Sequence, residues 1–228
     1  MREFTKVKIR RGFKELKPIF KDVVRKGGMF CGGYARYCAS PLSKPKKGTD
    51  VDIYCKTEKA YKILQEYFKS WQLSVNKESE VALLYYKASG GYLKNLPPIQ
   101  LIKPINQGAI VATGNIRTIL RNFDFTVIRC AILSEREALV DTEFEKDETL
   151  KYLRIKNIHC PISSTIRFCK YYKKGYHTSM KQIIKLFMDW DGRPSSYRNR
   201  IITLTMTNGG DGPTRQEIEE LEKLLRVD

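Results

Sequence analysis

Asp50 and Asp52, in GTDVDIYC, set two hard oxygen ligands one residue apart. Residues two apart on a β-strand point to the same face, so this spacing predicts carboxylates projecting side by side. Left alone the two charges repel. A Mg²⁺ ion, which is usually held by one or two carboxylates together with substrate phosphates, relieves that repulsion. Seventeen residues before Asp50 stands the second glycine of Gly32-Gly33, and residues without a Cβ let backbone N–H groups come close to a triphosphate. Arg36, Ser40 and Ser43 follow as candidate phosphate ligands. An acid pair or a glycine pair alone says little. In this order and at this separation they point to a metal and nucleoside-triphosphate site.

Such a site needs elements that aim it. Phe13, Leu16, Ile19, Phe20, Val23 and Val24 recur at helical spacing, with Pro18 in the first turn or at a kink and Gly27-Gly28 as the stop. MFCGGYARY predicts a strand entering a glycine turn, PLSKPKKGT a loop and DVDIYC a strand. Ala60, Ile63, Leu64, Tyr67 and Phe68 form the apolar stripe of a second helix, and VALLYYKA and PPIQLIKP a strand pair around SGGYLKN. NIRTILRNFDFTVIRCAIL begins as a helix, and its apolar second half fits either strand or helix. After an acidic loop, DTEFEKDE, the segments STIRFCKYYKKGY, SMKQIIKLFMDW and EIEELEKLL read as helices, the second with Met180, Ile183, Ile184, Phe187 and Met188 on one face. The expected fold is α+β: a mixed head over residues 1–150 and a basic helical part over 151–228.

The chain has 228 residues and a net charge of +17, which suits a polyanionic partner such as nucleic acid. Residues 1–48 carry 14 basic against 3 acidic groups and residues 151–228 carry 15 against 8, whereas the middle is balanced. Lys44, Lys46 and Lys47 in the first segment and Arg167, Lys170, Lys173 and Lys174 in the last are the candidate nucleic-acid contacts. In KYYKKGYHTSMK aromatics interleave with lysines, as on a stacking surface for single strands. A helix with Tyr172 in the core and its lysines merely solvated explains the same pattern. The six cysteines form no CxxC pair and the histidines number two, so a zinc site is not expected; the thiols read as buried and free in a reducing cytosol. Cys38 reads as a packed thiol rather than a nucleophile, His159 and His177 as surface or capping residues, and Trp71 and Trp190 as core. No segment has the apolar length of a signal peptide or a membrane span, so a soluble cytoplasmic protein with no membrane partner is expected.

FCGGYARY followed by TDVDIY resembles the signature of the DNA polymerase β-like nucleotidyltransferase superfamily, in which a glycine turn precedes an hDhDh strand. NFDFTVIRCAI is similar to the RRDFTINA segment of tRNA CCA-adding enzymes and bacterial poly(A) polymerases, and PISSTIRFCKYYKKGY to the helix that follows it there. The likeness runs from about residue 18 to 176. It implies a polymerase β-like head with a helical neck, in which Asp50 and Asp52 hold two Mg²⁺ ions, Gly32 and Gly33 cradle the β- and γ-phosphates, and Asp124 joins head to neck or touches the ribose. It also implies transfer of a nucleoside monophosphate from an NTP to an acceptor hydroxyl, with an RNA or tRNA 3′ end as the acceptor the charge favours.

Two departures accompany the resemblance. The position that carries a third carboxylate in the family falls by hairpin placement on Gln100, with Glu80 as the candidate substitute and third catalytic acid. The EDxxR pattern for base choice is absent from the helical part, which speaks against CCA addition itself. Two other readings stay open: a nucleic-acid-binding protein that keeps the fold with weakened catalysis, and NMP transfer to a protein hydroxyl.

Overall fold

The computed structural model of the chain describes residues 3–10, 14–40, 42, 49–78, 82–86, 95–104, 106–107, 110–159 and 161–199. Ten strands and seven α-helices run in chain order among these residues: β1 (Phe4–Lys8), α1 (Lys17–Arg25), β2 (Gly28–Cys31), α2 (Gly32–Ala39), β3 (Val51–Cys55), α3 (Glu58–Ser70), β4 (Ser74–Glu78), β5 (Ala82–Tyr86), β6 (Ile99–Ile102), β7 (Asn106–Gln107), β8 (Ile110–Val111), α4 (Ile116–Arg121), β9 (Cys130–Ile132), β10 (Glu137–Asp141), α5 (Phe144–Thr149), α6 (Pro161–Tyr172) and α7 (Met180–Asp191). Eight of the strands form one mixed sheet in the order β1-β10-β9-β2-β3-β6-β5-β4, and β7 pairs with β8 apart from it. This is the expected α+β head.

The two faces of the sheet are covered differently, and that decides where the aspartates emerge. β3 alternates: Val51, Ile53 and Cys55 are buried on one face, packed with Ile19, Phe20 and Val23 of α1 and Leu64 and Phe68 of α3. Asp52 and Tyr54 therefore point to the other face. There Met29, Cys31, Ala131 and Leu139 meet Ile119 and Leu120 of α4, with Tyr54 packed at the margin. α1 follows the predicted stripe: Leu16, Ile19, Phe20 and Val23 are buried, Pro18 sits in the first turn, and Gly27 adopts a φ of +88° just past the end.

Several expectations are corrected. The glycine turn after the strand is at once the start of a helix: Gly32 and Gly33 open α2, which runs directly from β2. The undecided half of NIRTILRNFDFTVIRCAIL gives a 3-10 turn at Thr126–Ile128 and then the interior strand β9, where burial on both faces favours an extended apolar run. DTEFEKDE is not a loop, because Phe144 anchors α5 in the core while Asp147 and Glu148 bury their charges against arginines. β1, β4 and β10 were not anticipated. In α7 the apolar stripe faces outward: Met180, Ile184, Phe187 and Met188 are exposed, whereas Gln182 and Leu186 are buried. Gln182 is accommodated because its Oε1 accepts the Ile155 N–H at 2.9 Å. Tyr171, not Tyr172, lies in the core, and Trp71 and Trp190 are half-buried.

Residues after 150 pack onto those before it through Phe125, Val127, Ile128, Leu153, Ile155, Tyr171, Tyr176 and Leu186. Cys31, Cys38, Cys55 and Cys130 are free and buried, and Cys169 is free and exposed. Cys160 lies outside the described residues, as does EIEELEKLL. No helix among the described residues is long and apolar enough to cross a membrane.

Candidate metal and nucleotide site

β2 and β3 are antiparallel with Cys31 opposite Asp52, so the chain leaves β2 directly beside the Asp52 side chain. Gly32, the first residue of α2, has a φ of +75°, and a Cβ placed on it would lie 2.8 Å from Asp52 Oδ2 and 3.3 Å from the Phe123 ring. Both the backbone conformation and the approach of the carboxylate demand glycine. Gly33 differs. A Cβ there would meet no atom of the described residues within 4 Å, which leaves space among them over the first turn of α2.

Asp52 is half-buried and lies within β3, while Asp50 is exposed and precedes the first strand residue. Burial raises the Asp52 carboxyl to about 7, and the Asp50 charge adds to the rise; Lys170 and then Arg167 oppose it. Asp50 is raised for the same first reason, and again Lys170 opposes. A divalent cation between the two would take the place of the proton that burial favours. On the other side of β3, the parallel strand β6 sets Gln100 in register with Asp52, and β5 in turn sets Leu84 in register with Gln100. The line across the sheet from the carboxylate thus runs to an amide.

α6 closes the site from the helical part. Asp124, 3% exposed, accepts from Ser164 Oγ at 2.9 Å and Arg167 Nη1 at 2.6 Å through Oδ2, and its backbone carbonyl accepts the Lys156 N–H at 2.8 Å. Asp124 therefore ties the segment after α4 to α6. Its Oδ1 is buried and has no hydrogen-bond partner among the described residues. Arg167 and, one turn on, Lys170 send their charge to the aspartate pair. Lys173 is exposed, and Lys174 is half-buried with its ammonium 5.0 Å from the centre of the Tyr171 ring.

Arg36 and Ser40 are not phosphate ligands in this structure. Arg36 is 2% exposed and donates Nε and Nη2 to Glu148 of α5 at 3.0 and 2.8 Å, and Ser40 Oγ donates to the same carboxylate at 2.7 Å. The Tyr176 hydroxyl donates to Glu148 at 2.7 Å and also receives Arg36 Nη2. Burial opposes ionisation of Glu148, but the Arg36 hydrogen bonds and charge hold it below the usual carboxylate range. Sequence reasoning missed this cluster, in which Arg36 and Ser40 of α2 stand 108 to 140 residues from Glu148 and Tyr176, and no spacing rule links the two halves. Phe123, the aromatic wall beside Gly32, was missed as well; its place before Asp124 is its one sequence signal. Cys38 is a packed thiol as expected, pushed up to about 12 by burial and then by the charge of Glu15. Ser43, Lys44, Lys46, Lys47 and Glu80 lie outside the described residues.

No family model matches the sequence, and no curated protein matches it. Solved structures do resemble the fold. The Thermotoga maritima CCA-adding enzyme complexed with tRNA superposes at a TM-score of 0.52 and 14% identity, covering 98% of this chain and 55% of that one. A CCA-adding enzyme with CTP gives 0.53 and 15%, covering 100% and 55%. A tRNA nucleotidyltransferase complexed with a primer tRNA and an incoming ATP analog gives 0.50 and 18%, covering 88% and 58%. The chain spans little more than half the length of these proteins. Its strands and helices take the arrangement found over little more than half of these CCA-adding enzymes and this tRNA nucleotidyltransferase, and that is the fold it shares with them.

Proposed function

We propose that the chain is a metal-dependent nucleotidyltransferase that moves a nucleoside monophosphate from an NTP to an acceptor hydroxyl, with an RNA or tRNA 3′ end as acceptor. The observation that carries this reading is the meeting of Asp52 with Gly32 at the start of α2, where a side chain on residue 32 would occupy the place of the carboxylate. The donor set suits Mg²⁺: Asp52 within β3, Asp50 just before it, and space among the described residues over Gly33 for the phosphates that complete the coordination. When bound, Mg²⁺ supplies charge neutralisation at the transferring phosphorus and a lowered pKa for the attacking hydroxyl.

The chain's own residues supply the rest. Asp50 and Asp52 hold the cation. The N–H groups at the start of α2 point toward the phosphates, favoured by the positive end of the helix dipole. Arg167 and Lys170 face the same space from α6 and neutralise phosphate charge. Asp124 fixes Arg167 through Oδ2. The acceptor oxygen attacks the α-phosphorus, the bond from that phosphorus to the bridging oxygen breaks, pyrophosphate leaves, and the hydroxyl proton passes to solvent. Lys173 and Lys174, with the exposed Tyr172, extend the basic aromatic face of α6 toward an RNA strand.

The test is ligand-dependent stability. An NTP with Mg²⁺ should raise the Tm by linkage, and the double change Asp50→Asn, Asp52→Asn should remove the Mg²⁺-dependent part. A shift that keeps its Mg²⁺ dependence in the double variant would sink the assignment.

A further inference from the structure

The register of the sheet fixes what surrounds the aspartates more narrowly than the proposed reaction requires. Asp52 of β3 lies opposite Cys31 on β2 and in parallel register with Gln100 on β6, and Gln100 in turn lies opposite Leu84 on β5. Directly paired residues share a face of the sheet, so the positions flanking Asp52 on that face are a thiol and an amide. The thiol is buried, 1% exposed. Among the described residues no group of three histidine, cysteine, aspartate or glutamate side chains is gathered to hold a metal. Beside Asp50 and Asp52, the positions flanking Asp52 in the sheet offer a second ion no charged ligand. A neutral amide is a poor ligand for a second Mg²⁺, an ion that demands near-octahedral oxygen coordination and gives up its water reluctantly.

The opposite wall is cationic. Arg167 is engaged with Asp124 through a 2.6 Å contact, which fixes the orientation of α6, and Lys170 lies one turn further along the same helix. That helical step brings both cations to the side facing the carboxylates.

Resting on the nucleotidyltransferase reading, we infer that this site binds a single divalent cation, between Asp50 and Asp52, and that Lys170 supplies the positive charge that a second metal ion would otherwise bring to the triphosphate. The position of the absent second ion is set by Gln100. Restoring a carboxylate there creates the missing ligand at the right register without changing the size of the side chain. Lys170, an exposed cation on α6, acts on phosphate oxygens and not on the cation itself.

Counting bound Mn²⁺ by electron paramagnetic resonance, on the whole chain saturated with a non-hydrolysable NTP analogue, tests this without relying on turnover. One Mn²⁺ per chain is expected for the wild type and two for Gln100→Glu, with the Tm of each recorded as a check on folding. Lys170→Met should keep the count at one while weakening binding of the analogue by ~10–100-fold, the loss typical of one charge-assisted contact. Two ions in the wild type would overturn the inference, and a fall from two to one in Glu80→Gln would then name the third ligand. A count that stays at one in folded Gln100→Glu would also overturn it, by showing that position 100 does not govern a second ion. Absence of bound Mn²⁺ in both the wild type and Gln100→Glu would instead remove the nucleotidyltransferase reading beneath it.

Discussion

The hydrogen that Gly32 carries in place of a methyl group is the smallest feature on which the site depends. Gly32→Ala must adopt a φ of +75° with its new Cβ 2.8 Å from Asp52 Oδ2, so the carboxylate has to move. The change should lower stability by ~1–3 kcal/mol, read by urea denaturation, and abolish the Mg²⁺-dependent Tm shift. Gly33→Ala, with no neighbour among the described residues within 4 Å, should leave stability unchanged or slightly raised, yet weaken NTP binding by intruding on that space. Equal effects of the two substitutions on stability would contradict this division. The Asp52 carboxyl gives a second expectation. Its folded value of about 7 lies above the ~3.9 of an unfolded aspartate, so the native state keeps a proton that the unfolded chain has lost between those values. That contribution to stability is fully present below about pH 4 and disappears as pH rises through about 7. Asp52→Asn, which stays neutral, should flatten the metal-free stability profile over this window, and in the wild type cation affinity should rise with pH across it. An unchanged slope in the variant would show that Asp52 does not hold the proton.

Helices and strands place these residues, and one buried contact decides how firmly. Arg36 and Glu148 are 2% and 0% exposed and join α2, whose first turn holds Gly32, to α5. Glu148→Ala leaves the guanidinium buried without its carboxylate and should cost ~3–5 kcal/mol, measured by denaturant unfolding. A cost below ~1 kcal/mol would mean that the pair does not anchor α2. The same elements show what the sequence disclosed. β3 and α1 were legible because one alternates and the other repeats at helical spacing, each with a single buried face. Gln100 was placed beside the aspartates by the hairpin alone, and the strand register agrees. β1 was not legible: FTKVK is an edge strand whose lysines reflect solvent rather than a core, and only pairing with β10 makes it a strand. α5 was hidden because its acids are satisfied by Arg36 and Arg154, which are remote or lie beyond the helix. α7 misled by pattern, since its apolar stripe is exposed among the described residues and its buried positions include a glutamine. The roles expected of Arg36 and Ser40 failed for the same reason: only the fold shows that Glu148 has taken both.

For the whole molecule, the charge of +17 and the basic face of α6 set the terms on which a partner arrives. RNA affinity should fall steeply with salt through counterion release, and neutralising Lys170, Lys173 and Lys174 to glutamine should lower the slope of log affinity against log salt by ~2, since each lost phosphate contact on a single strand removes ~0.7. A slope unchanged in the triple variant would place RNA elsewhere on the surface. A wild type insensitive to salt would favour a protein hydroxyl as acceptor. The fold is shared with CCA-adding enzymes over little more than half their length. The most direct measurement is incubation with each α-phosphate-labelled NTP, Mg²⁺ and total RNA, followed by a gel that separates labelled RNA from labelled protein, for the wild type and for Asp52→Asn. Label should move to RNA with at least one NTP and be lost in the variant. Label on protein alone, no label in the wild type, or equal labelling by Asp52→Asn would contradict the account.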